Sequence, residues 1–96
     1  MDYRIVYTQK ALADLAGLIS HIAEDPPDAA ARFGGVLLDH VDLLSRFPRM
    51  GRLVRQRSQV RKLVHSPVVV YYRVQQGQRL IEILQFRHGS RKTPEL

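Results

Sequence analysis

The sequence predicts an α+β domain: an N-terminal strand and an antiparallel helical hairpin packed on a small, mainly antiparallel β-sheet. Three observations predict it. Residues 9–46 carry apolar side chains at helical spacing, interrupted once, at Asp25-Pro26-Pro27. Residues 60–91 are crowded with β-branched and aromatic side chains, and turn residues divide them at Ser66-Pro67 and Gln75-Gln76-Gly77-Gln78. That is the pattern of three consecutive antiparallel strands. Finally, 96 residues without a repeat or a linker make one domain, residues 1–96, with a single modest core.

In chain order, Tyr3-Arg4-Ile5-Val6-Tyr7 has the length and residue types of a partly buried edge strand. Thr8 is placed to cap the helix that follows. From Gln9 to Glu24, Leu12, Leu15, Ile19 and Ile22 form an apolar stripe, widened by Ala11, Leu18 and Ala23. A proline inside a helix costs about 3 kcal/mol but nothing in its first turn, so Pro26-Pro27 ends one helix and opens the next. Asp28 then faces the positive end of the second helix dipole. That helix is predicted from Pro27 to Arg46, with Ala30, Phe33, Leu37, Val41 and Leu44 as its stripe and Val36 and Leu43 beside it. Gly34-Gly35 weakens it by about 1 kcal/mol per glycine, which points to close packing or a slight bend there. Phe47-Pro48 closes the helix, and Arg49 to Gln59 reads as a loop turning at Met50-Gly51. Val68-Val69-Val70-Tyr71-Tyr72, apolar throughout, is the expected central strand.

Charge divides the chain in two. Residues 1–45 hold three basic and seven acidic side chains, a net of −4; residues 46–96 hold twelve basic and two acidic, a net of +10. Arg46, Arg49, Arg52, Arg55, Arg57, Arg61 and Lys62 follow one another with no acid between them, so the segment is exposed. Such a patch attracts an acidic protein segment or nucleic acid, and arginine suits bidentate contact with carboxylate or phosphate. With no cysteine there is neither a disulfide framework nor a thiolate nucleophile. The N-terminus lacks a long apolar core, and no run approaches the roughly 20 residues that span a bilayer, so a soluble cytoplasmic protein is expected, with no membrane partner. His21, His40, His65 and His88 show no close ligand spacing. Neither a metal nor a cofactor is expected.

The ordered features are more specific than any one of them. The strand and hairpin are followed by the Phe47-Pro48-x-x-Gly51 loop, an arginine just before a strand, Tyr71-Tyr72-Arg73-Val74, a hairpin turn, and Ile81-x-Ile83-Leu84-x-Phe86-x-His88-Gly89-x-Arg91. Together with Ala11 to Ile22 and Pro27 to Phe33, this series resembles the ParE/RelE superfamily of type II toxins, and is similar to its ParE branch over nearly the whole chain. The resemblance implies a cytoplasmic toxin of RelE/ParE-like fold, wrapped and neutralised by a ParD-like antitoxin. Such toxins poison DNA gyrase by protein contact, leaving it trapped on cleaved DNA. RelE-branch relatives instead cut messenger RNA in the ribosomal A site, and a third reading is a degenerate member that only binds an antitoxin and contributes to operon autoregulation.

RNA cleavage through the 2′-hydroxyl needs a base, cations on the scissile phosphate and an acid for the leaving oxygen. Arg61, Arg73 and Arg87 are the candidate cations and His88 the titrating group, but the lysine pair and terminal catalytic tyrosine that the RelE branch implies are not evident. The expectation is therefore a non-enzymatic toxin with no sequence-specific nucleic-acid binding, its target surface formed by Arg87, His88, Ser90, Arg91 and Lys92. Arg55, Arg57, Arg61 and Tyr72 are assigned to the antitoxin. Tyr72 enters because strand alternation puts Tyr71 and Tyr72 on opposite faces, leaving one of them to stack on a partner. Some of these residues have plainer roles open to them: Arg73 pairing with Glu82 across a hairpin, His88 capping its strand, Gly89 supplying a positive φ.

Overall fold

The computed structural model describes residues 2–22 and 27–89. Its elements are β1 (Arg4–Tyr7), α1 (Gln9–Ile22), α2 (Pro27–Asp42), β2 (Arg52–Leu53), β3 (Val60–His65), β4 (Val68–Gln75) and β5 (Leu80–His88), with 3₁₀ turns at Leu43–Ser45 and Gln76–Gln78. The five strands form one sheet in the order β1-β5-β4-β3-β2, antiparallel except where β1 runs parallel to β5. Both helices, the edge strand and the three long strands thus lie where the sequence placed them, with β4 in the middle. The Asp25-Pro26 break lies outside the described residues. Among those described, no helix is long and apolar enough to cross a membrane.

One face of the sheet carries the core. Val68, Val70, Tyr72 and Val74 of β4 and Ile81, Ile83 and Phe86 of β5 meet Leu37 and Val41 of α2 and Ala11 of α1. The α2 stripe is the predicted one. On α1 the buried line is turned by one position: Ala11 is sealed and Leu15 and Leu18 pack beside it, while Leu12 is left exposed. Val36 and Leu43 are also exposed, at the outer margin of the α2 stripe. Gly34 is a close approach, since a Cβ there would lie 3.2 Å from Ile19 Cδ1.

Two elements depart from the sequence reading. The second helix stops at Asp42 and tightens into the Leu43–Ser45 turn, where Leu43 O accepts from both Arg46 N and Phe47 N. A residue that precedes proline avoids helical geometry, so the approach to Pro48 unwinds the last turn. The Arg49 to Gln59 loop also contributes β2, whose Arg52 and Leu53 pair with Lys62 and Arg61.

A bulge in β5 explains the burial of both tyrosines. Tyr72 pairs with Ile83 but Tyr71 pairs with Gln85, so Leu84 is an extra residue. Before it Ile81 and Ile83 face the helices; after it the phase flips, putting Phe86 inward and Gln85 on the far face. Tyr71, paired with Gln85, is buried on that far face and Tyr72 is buried in the core. The expectation that one of the two faces a partner is therefore corrected.

Candidate functional site

The cationic segment is a loop held at two points. Gly51 is buried, and a Cβ on it would come 2.6 Å from Lys62 O and 2.7 Å from the Tyr72 hydroxyl, so only glycine lets the loop lie this close to the sheet. Gly51 N donates to that hydroxyl at 2.9 Å, and the hydroxyl donates to Pro48 O at 2.8 Å. Arg61 Nη1 donates to Gly51 O at 2.8 Å. Tyr72 is thus an anchor of the loop and, fully buried, is withdrawn from the antitoxin-facing set. Arg46, Arg49, Arg52, Arg55 and Arg57 are exposed around it. Beside the arginines lies a cleft of about 590 Å³ lined by Tyr3, Phe47, Pro48, Arg49 and Met50, its floor apolar, with Phe47 54% exposed. The sequence reading missed this cleft, although Phe47 and Met50, two large apolar side chains close together in an otherwise basic run, were its signal.

The far end of β5 presents Arg87 and His88 beside α1. Together with Lys10, Asp14, Gly17 and His21 they line a second cleft of about 450 Å³. β1 ends opposite Ile83, and side chains of the α1 segment close the rest of that edge: Thr8 Oγ1 donates to Leu84 O at 3.1 Å, and Asp14 Oδ2 accepts from Phe86 N at 3.2 Å. Arg87 Nε is buried without a hydrogen-bond partner among the described residues. Gly89 has no positive φ; it lies against Pro67, whose carbonyl oxygen would be 3.0 Å from a Cβ. Ser90, Arg91 and Lys92 lie outside the described residues.

The four residues named for RNA cleavage are not brought together. Arg61 pairs with Tyr72 and so lies on the helix side of the sheet, where the Gly51 carbonyl holds it. Arg73 lies on the opposite face, in an ion pair with Glu82 at 3.4 Å, as its plainer reading had it. Arg87, also on that face, is paired with Val69, four residues from Arg73 along β4 and so roughly 13 Å away. His88, paired with Val68, returns to the helix side. Arg87 and His88 share the cleft beside α1, while Arg61 is held by Gly51 and Arg73 by Glu82, apart from that cleft and on opposite faces of the sheet.

A two-helix layer on a mixed five-stranded sheet, with a basic loop and a polar strand end, defines a small α+β module, and solved structures share the fold. One chain from the chromosomal ParDE toxin–antitoxin system of P. aeruginosa matches with a TM-score of 0.75 at 23% identity, over 90% of this chain and 95% of that one. A chain of the RelBE2 toxin–antitoxin complex of Mycobacterium tuberculosis matches with a TM-score of 0.64 at 24% identity, over 92% and 99%. In sequence, the chain is 36% identical over 89 residues to the protein named Toxin RelE2 of Caulobacter vibrioides, covering 92% of this chain and 97% of that one. Residues 5–93 match the family described as the ParE toxin of the type II toxin–antitoxin system parDE. The chain belongs to this family, and so to the ParE/RelE superfamily of type II toxins.

Proposed function

We propose that this toxin acts without catalysis, inhibiting DNA gyrase by protein contact, and that a ParD-like antitoxin neutralises it. The observation that carries this reading is the dispersal of the ribonuclease candidates: Arg61 is committed to Gly51 on one face of the sheet, and Arg73 to Glu82 on the other. RNA cleavage through the 2′-hydroxyl by positioned groups needs base, cation and acid around one phosphate. The match to the ParE family supports the same conclusion. Arg87 and His88, delivered by the rigid end of β5, are the described part of the proposed gyrase contact, which Ser90, Arg91 and Lys92 extend. Arg55 and Arg57 steer an acidic antitoxin segment towards the apolar cleft at Phe47 and Met50, while Arg61 supports that surface from behind by holding Gly51.

The test combines the purified chain with gyrase, relaxed plasmid, ATP and magnesium, with translating ribosomes and messenger RNA assayed in parallel. The expected outcome is loss of supercoiling, linear DNA on denaturation and intact messenger. Codon-positioned cuts with normal supercoiling would establish the RelE-type activity, which the 36% identity to Toxin RelE2 keeps as the second reading.

A further inference from the structure

His40, in the last turn of α2, and His65, the last residue of β3, are 25 positions apart in the chain, yet their Nδ1 atoms stand 2.9 Å apart. The ring centroids are separated by 5.1 Å with planes inclined at 56°. Phe33, two helical turns before His40, sets its ring at 68° to that of His65 with centroids 5.8 Å apart, giving the pair an apolar wall that restricts the rotation of His65. Both imidazoles are half-buried, not sealed.

We propose that His40 and His65 chelate a divalent copper or nickel ion through their two Nδ1 atoms, tying the end of α2 to the end of β3. Between two neutral rings the contact is a hydrogen bond in which one Nδ1 donates and the other accepts. An ion takes the place of that hydrogen: the donating ring carries its proton on Nε2 instead of Nδ1, and both Nδ1 lone pairs turn to the metal. Chelation requires a short spacing. With metal–nitrogen bonds of about 2.0 Å, neighbouring ligands are about 2.8 Å apart in a square-planar site and about 3.3 Å apart in a tetrahedral one. The observed 2.9 Å is a hydrogen-bond distance within a few tenths of an ångström of either, and Cu²⁺ is favoured because nitrogen-site affinity rises through Ni²⁺ to Cu²⁺ and falls at Zn²⁺. Among the described residues no third His, Cys, Asp or Glu joins the pair, so water completes the coordination.

Titration of the purified chain with Cu²⁺, Ni²⁺ and Zn²⁺ tests this, with binding followed calorimetrically and the copper site examined by electron paramagnetic resonance. The expected result is a single Cu²⁺ whose spectrum shows two imidazole nitrogens, with Zn²⁺ binding more weakly. His40→Gln and His65→Gln each weaken Cu²⁺ binding by about tenfold or more, while a His21→Gln/His88→Gln chain binds as the original does. Unchanged binding in either single variant, or loss in the double one, overturns the proposal. Where a variant fails to fold, amide NMR of the unsubstituted chain decides: Cu²⁺ broadening centred on His40 and His65 supports the site, and broadening centred elsewhere or absent overturns it.

Discussion

Tyr72 does three things with one side chain. Its ring fills the core between β4 and the helices, its hydroxyl accepts from Gly51 N, and the same hydroxyl donates to Pro48 O. Tyr72→Phe keeps the ring and strands both backbone groups, at a cost of about 1–3 kcal/mol. Urea unfolding checks this: a lower midpoint with an unchanged slope is expected, and an unchanged midpoint would mean that water replaces the hydroxyl without penalty. The phenol also gives the fold a pH limit. Burial pushes its pKa above 10, with the Gly51 hydrogen bond and the Arg61 charge opposing in part. The unfolded chain therefore loses this proton first as pH rises. The contribution is complete below pH 10 and is lost as pH climbs through the raised folded value, a loss that Tyr72→Phe removes. None of this was legible from Tyr71-Tyr72 alone. Alternation in a regular strand gives the two side chains opposite faces, correctly, but does not say that both faces bury them.

At the scale of elements, the informative departure is the bulge at Leu84. The sequence carried a trace of it: apolar residues fall at 81 and 83 and again at 84 and 86, a doublet at which the period of two changes phase. Thr8 fixes the same place from outside. Its hydroxyl oxygen caps α1 by accepting from Ala11 N at 3.0 Å, as its position before the helix had suggested, and donates to Leu84 O at 3.1 Å across 76 residues of chain. The cap was readable from local pattern. The strand contact was not, because a separation that long leaves no periodic signature. Losing both bonds in Thr8→Ala should destabilise the domain by about 1–2 kcal/mol, whereas Thr8→Ser, which keeps the hydroxyl, should lose only the methyl contact. Thermal unfolding of the two variants separates these contributions, and equal melting temperatures would show that the hydroxyl contributes nothing at this junction.

Over the whole molecule, charge follows architecture. Asp28, Asp39 and Asp42 are exposed on the helical layer, while Arg46 and Arg49 are exposed just after the Leu43–Ser45 turn and Arg52, Arg55 and Arg57 on β2 and the loop that follows it. The halves of opposite sign seen in the sequence therefore fall on different elements, meeting between Asp42 and Arg46. At physiological salt the screening length is about 8 Å, so the loop acts on a partner during approach and less at contact. This separates steering from holding. Arg55→Glu/Arg57→Glu, exposed in the loop between β2 and β3, leaves the Gly51 anchor intact and should slow antitoxin association by about tenfold or more at low salt, flatten its salt dependence and change dissociation little. Adding Arg61→Glu should behave differently, because it removes the donor to Gly51 O and disturbs the Phe47–Met50 surface itself, so dissociation should then quicken as well. Stopped-flow association across a salt series reads both effects. Equal salt slopes for the original chain and the double variant would remove electrostatic steering from the account and leave the apolar cleft as the determinant of recognition.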